Sequence, residues 1–155
     1  MQFTLKNLKQ CDGTDGPAYS ATLYADGKRV GTVHNDGRGG SVLVQIADRT
    51  TRAAWQAAVD AAHGEKEYCR EDSYVEDLLE AAEFERAARA NARKGYPLTV
   101  VLYAKPTWFD AADKAAGRPC NYYADVSTCG ARDEAAVEKV LARFAPAKHL
   151  VVRAS

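Results

Sequence analysis

YSATLYADGKRVGTVHNDGRGGS, residues Tyr19 to Ser41, is the stretch whose reading decides the fold. Apolar and polar residues alternate on both sides of Asp26-Gly27, the pattern of two strands that each bury one face. Both central residues of a type I′ turn need positive φ, and Asp-Gly adopts it cheaply, so a two-residue hairpin turn is predicted here. That turn would set Leu23 against Val30, Ala21 against Thr32, Tyr19 against His34, Ser20 against Val33 and Tyr24 against Arg29. Such cross-strand pairs contribute about 0.2–1 kcal/mol each, so the hairpin needs a core behind it. FTLKNLK, from Phe3 onward, supplies a third strand through Phe3 and Leu5.

Downstream, SVLVQI (Ser41 to Ile46) suits a fourth strand or a buried connector. A helix follows, with Thr50 or Thr51 as its cap, Ala54, Trp55, Ala58, Val59 and Ala62 on one face, and Gly64 past its end. Ser73-Tyr74-Val75-Glu76 has the form of a capping box and predicts a second helix running to Lys94, with Gly95 closing it. Glu71, Asp72, Glu76, Asp77, Glu80 and Glu83 gather at its start, and Arg86, Arg89, Arg93 and Lys94 at its end. This order complements the helix dipole. The same segregation could also offer a bipolar surface to a partner, with Glu76 and Glu80 on its acidic face.

LTVVLYA (Leu98 to Ala104) reads as a buried strand. Thr107 and Asp110 frame a short helix through Ala116, Asn121 to Ser127 a further strand, Val137, Val140, Leu141 and Phe144 an amphipathic helix stopped by Pro146, and HLVVR a last strand. The order of elements predicts an α+β domain spanning residues 1–155. In it, an N-terminal antiparallel meander, central helices, and later strands and a helix complete one mainly antiparallel sheet with helices packed on it.

The 155 residues balance 21 Lys+Arg against 21 Asp+Glu, which removes the bulk electrostatic argument for a polyanionic partner and leaves only local patches. The first residues carry neither a basic nor an apolar leader run, and no segment approaches the roughly 20 apolar residues that cross a bilayer. A cytoplasmic protein without membrane contact is expected. Cys11, Cys69, Cys120 and Cys129 include no C-x-x-C pair, so reduced thiols are expected; Cys120 and Cys129 are the two to pair if any do. His34, His63 and His149 do not cluster, and no catalytic residue, metal site or cofactor is expected.

His34-Asn35-Asp36-Gly37-Arg38-Gly39-Gly40-Ser41 is the candidate site. Converging amides and an arginine could hold an anion. A P-loop or a dinucleotide fingerprint, however, leads into a helix, and here a strand follows. The first reading of the loop is therefore Asn-Asp-Gly turn chemistry, the second a partner-binding loop carrying Asp36, Gly37, Arg38 and Gly39, and the third phosphate or RNA binding. Trp108 joins the partner-binding candidates, because a Trp-Phe pair straight after a strand is typical hot-spot chemistry.

TLYADGKRVGTVHNDGRGG, together with FTLKNLK, resembles a group of small bacteriophage and mobile-element proteins with an ATLY-x-DGK hairpin followed by an NDG-x-GG loop. The likeness covers about the first quarter of the chain and brings no reaction with it. It implies a setting in which small phage-encoded proteins bind and block host machinery. The function expected is thus stoichiometric binding to a host protein, such as inhibition of a defence nuclease complex of the CRISPR kind, with a homodimer through an edge strand left open. Two alternatives stand beside it. One is a nucleic-acid or nucleotide binder using the glycine loop with Lys28, Arg29 and His34. The other is an enzyme with Cys120 or Cys129 as nucleophile.

Overall fold

A computed structural model describes residues 1–64, 69–104, 125–144, 146 and 148–154. The chain divides into two compact units, Met1–Ala82 and Glu83–Ser155. The architecture is α+β, as the order of elements predicts, but the strands form two antiparallel sheets and not one.

The first unit holds β1 (Phe3–Asp12), β2 (Pro17–Ala25), β3 (Lys28–Asn35) and β4 (Leu43–Ile46), paired in chain order as a meander. Helix α1 (Arg49–His63) and the first half of α2 (Arg70–Arg93) belong to it as well. Asp26 (φ 46°) and Gly27 (φ 79°) make the turn with both residues at positive φ, and Tyr24 pairs with Arg29 as expected. Beyond that pair the register slips. Leu23 faces Gly31, Thr22 faces Thr32, Ala21 faces Val33, Ser20 faces His34 and Tyr19 faces Asn35. Val30 is the extra residue of a β-bulge, and its side chain packs on the core.

The bulge has a physical reason. It turns Val33 inward beside Leu23, both fully buried, and sends Thr32 and His34 outward, so β3 keeps its apolar set on the core face. A strict two-residue register would have buried Thr32. Gly31 then lies where a Cβ would stand 2.0 Å from the Gln45 carbonyl oxygen, and only glycine lets β4 approach that closely. A second bulge, with Asn7 at φ 55°, does the same for β1 and points Leu8 at the core.

Trp55 is the centre of this core, fully buried, with its ring edge-on to Phe3 and to Tyr74 at 5.1 Å each. Its Nε1–H donates to Glu71 Oε1 at 2.6 Å, so the indole dipole is satisfied. The cap of α1 is Asp48, not Thr50 or Thr51. Its Oδ2 accepts from both the Thr51 amide and the Thr51 hydroxyl at 2.7 Å. Ala62 is exposed, unlike the Trp55 face to which its spacing assigns it. Helix α2 begins at Arg70, and the Ser73 amide already donates to the Cys69 carbonyl, so the expected capping box lies inside the helix.

The second unit holds the rest of α2, then β5 (Leu98–Ala104), β6 (Asp125–Ala131), α3 (Glu134–Phe144) and β7 (Lys148–Arg153), with the sheet in the order β6-β5-β7. Gly95 (φ 83°) closes α2 as its sequence predicts. The Tyr96 amide donates to Asn91 and the Gly95 amide to Ala92, which is a Schellman ending. Strand β5 is buried on both faces. Leu98, Val100 and Leu102 pack with Val137 of α3, while Val101 and Tyr103 pack with Phe84 of α2. Thr99, wholly buried, has its hydroxyl paired with Asn91 Nδ2 at 2.9 Å. The expected helix at 107–116, the residues 121–124 of the expected strand, and Trp108 and Cys120 all lie outside the described residues.

Candidate functional site

Strand β3 ends at Asn35 and the chain enters residues 36–40, where the backbone is held by its own side chains. Asn35 Oδ1 accepts from the Gly37 amide at 2.8 Å, and Asn35 Nδ2 donates to the Gly40 carbonyl at 3.3 Å. Asp36 Oδ1 accepts from the Arg38 amide at 3.1 Å. These are Asx turns, and they spend two of the amides that an anion cradle would need. Gly37 is buried at φ 69°, and a Cβ there would stand 2.9 Å from Gly13 Cα and from the Gly16 carbonyl oxygen. Any other residue meets both strain and a clash.

Two further bonds fasten the loop to its surroundings. The Asp15 amide of the β1–β2 turn donates to the Gly37 carbonyl at 2.8 Å, and the Val42 amide donates to Asp72 Oδ1 of α2 at 2.7 Å. A cleft of about 220 Å³ lies between these elements, walled by Asp15, Tyr19, Gly37, Gly39, Asp72 and Glu76 among others. Of the residues singled out in the sequence, Gly37, Gly39 and Glu76 are thus brought to one rim. Asp36 and Arg38 lie exposed on the same loop, and Glu80, one turn further along α2, is outside the lining.

The cleft is acidic. Burial raises the Tyr19 hydroxyl to about 12, the carboxylates of Glu76 and Asp72 push the same way, and a hydrogen bond from Asn35 pulls against them. Tyr19 is accordingly a neutral phenol at any cellular pH, next to carboxylates that no basic side chain among the described lining residues offsets. A cleft of this sign disfavours phosphate and suits an ammonium or guanidinium group. Sequence reasoning missed Asp15, Tyr19 and Asp72 as a wall, because the β1–β2 turn, a strand and a helix start distant in sequence converge only in the fold.

His34, expected beside Tyr19, stands opposite Ser20 on the other face of the sheet and is exposed. His63, in the last turn of α1, lies 2.8 Å from Asp77 of α2. Among the described residues no His, Cys, Asp or Glu group has the arrangement to hold a metal ion, and no helix is long and apolar enough to cross a membrane. Cys11, Cys69 and Cys129 are free thiols. No protein-family model, curated protein or solved structure matches the chain.

Proposed function

We propose that the chain is a small phage-type accessory protein that acts by stoichiometric binding to a host protein, and that the host protein belongs to an antiviral defence complex of the CRISPR kind. The observation that carries this reading is the fastening of the glycine loop, to α2 through the Val42–Asp72 bond and to the β1–β2 turn through the Asp15–Gly37 bond. A loop already fixed beside an acidic rim loses little conformational entropy when a partner docks, which is what a stoichiometric binder needs. The sign of the cleft selects a partner segment that inserts lysine or arginine between Asp72 and Glu76. The resemblance of the first quarter of the chain to phage proteins supplies the setting, and the cytoplasm of the host cell is the compartment that follows from it.

The test is co-expression with CRISPR effector complexes under phage challenge, joined to titration of the purified complex. Restored plaque formation together with a one-to-one complex is the expected result. Glu76→Lys and Gly37→Ala should each weaken that complex by at least tenfold. Full interference in the presence of the folded chain, with no complex formed by any effector tried, would overturn the reading.

A further inference from the structure

The four-stranded sheet has a second face that the acidic cleft does not use. Phe3, Leu5, Leu23 and Val33 take the helix-facing parity with Trp55, Val59 and Val75. The opposite parity places Lys6, Thr22, Thr32 and Gln45 in one row and Lys9, Ser20, His34 and Leu43 in the next. Tyr24 and Arg29 stand side by side in a third. Lys6, Lys9, Arg29, His34, Leu43 and Gln45 are exposed, and the hydroxyl residues between them are half-buried.

The chemistry of this face is one-sided. Lys6, Lys9 and Arg29 are cations, and among the described residues no carboxylate shares the parity. Asp26, in the neighbouring turn, is spent on the Gln2 amide at 2.8 Å. At the β3–β4 end a hollow of about 570 Å³ opens beside Arg29, with Thr32 and Gln45 in its wall; Arg52 of α1, which also lines it, is paired with Glu71 at 3.1 Å and adds no free charge. The Lys6 ammonium lies 4.9 Å over the Tyr24 ring, so an aromatic ring and a cation meet near the Asp26-Gly27 end of the sheet.

We propose that this open face binds single-stranded nucleic acid, with Lys6, Lys9 and Arg29 on successive phosphates and Tyr24 stacking a base. The occupant is chosen by complementarity. Protein–protein interface cores are depleted of lysine, whereas cations interleaved with hydroxyls and an aromatic ring are the makings of a single-strand platform. A broad sheet face cannot enter a duplex groove as a helix or two-stranded ribbon does, so a strand with unstacked bases fits better than a duplex. The proposal does not rest on the acidic cleft or on a defence target. It also differs from an anion site in the glycine loop, which lies at the far end of β3.

Fluorescence anisotropy with a labelled oligodeoxythymidine strand tests it on the full chain. Three phosphate contacts predict a log–log salt slope of about −2, so that affinity falls roughly 20-fold between 50 and 200 mM salt. Lys6→Gln, Lys9→Gln and Arg29→Gln, each an exposed site, should each flatten the slope by about 0.7, and Tyr24→Ala should weaken binding at least fivefold. Arg38→Ala and Glu76→Gln should leave the titration unchanged. The proposal is overturned by a flat titration at 50 mM salt, by Arg38→Ala weakening binding as much as the sheet variants do, or by a duplex or polyglutamate competing as well as the single strand.

Discussion

The two sheets of this molecule differ in how many faces they bury, and their sequences differ to match. Strand β5, with helical residues packed on both sides, reads LTVVLYA, a nearly unbroken apolar run. Strands β1, β2 and β3, packed on one side only, alternate, and the bulges of β1 and β3 restore the alternation where it would fail. An unbroken run therefore marks a strand with no solvent face, and alternation marks one whose other face is left to do something else. In the first unit, that other face carries three cations.

The largest test of this contrast removes the anchor of the one-sided core. Trp55→Ala should cost the first unit about 3–5 kcal/mol, because it empties the site between Phe3 and Tyr74 and leaves Glu71 without its indole donor. Hydrogen exchange should show the loss in β1–β4, with β5–β7 protected as before. Equal loss in both units would mean that the two cores unfold as one.

A smaller effect tests parity directly. Val100 and Val101 point to opposite faces of β5 and are both fully buried, so either one changed to Ala should cost about 2 kcal/mol, from lost methyl burial plus a cavity. In β3 the same comparison should split. Val33→Ala should cost a similar amount, and Thr32→Ala should stay within about 0.5 kcal/mol, measured by denaturant unfolding. If Thr32→Ala proved as costly as Val33→Ala, the outer face of the first sheet would not be open.

The smallest effect is electrostatic and sits on the helix side of that sheet. The Tyr19 phenol, raised from 10.0 to about 12 chiefly by burial, binds its proton more tightly folded than unfolded. Its contribution to stability is complete below pH 10 and is lost as pH rises towards 12. Burial also raises the Tyr74 phenol, so phenolate absorbance should show Tyr19 and Tyr74 both titrating late, with the late phase reduced, not abolished, in Tyr19→Phe. Glu76→Gln should bring the Tyr19 titration earlier without removing the delay, since burial is the larger cause.

Much of this was legible in the residues because it is local. The Asp26-Gly27 turn, the closing of α2 at Gly95, the burial of Trp55 and the strand Leu98–Ala104 each follow from a few neighbours in sequence. What misled was local too. Ser73 and Glu76 have the spacing of a capping box, yet tertiary packing carries the helix three residues further back to Arg70. Thr50 and Thr51 resemble caps, but Asp48 accepts two hydrogen bonds from Thr51 and outbids them. The hairpin register was missed at Val30 because a bulge is settled by which side chains the core accepts, not by the turn.

The sequence by itself determined the α+β class, the meander and the places where helices end, since these depend on periodicity and on backbone preferences that reach only a few residues. Tertiary structure alone decided that the strands would form two sheets, that Gly37, Tyr19 and Glu76 would share an acidic cleft, and that Lys6, Lys9 and Arg29 would stand together on an open face. The reason is that charge and shape at a surface are sums over residues far apart in the chain. Register and packing choose which of them meet.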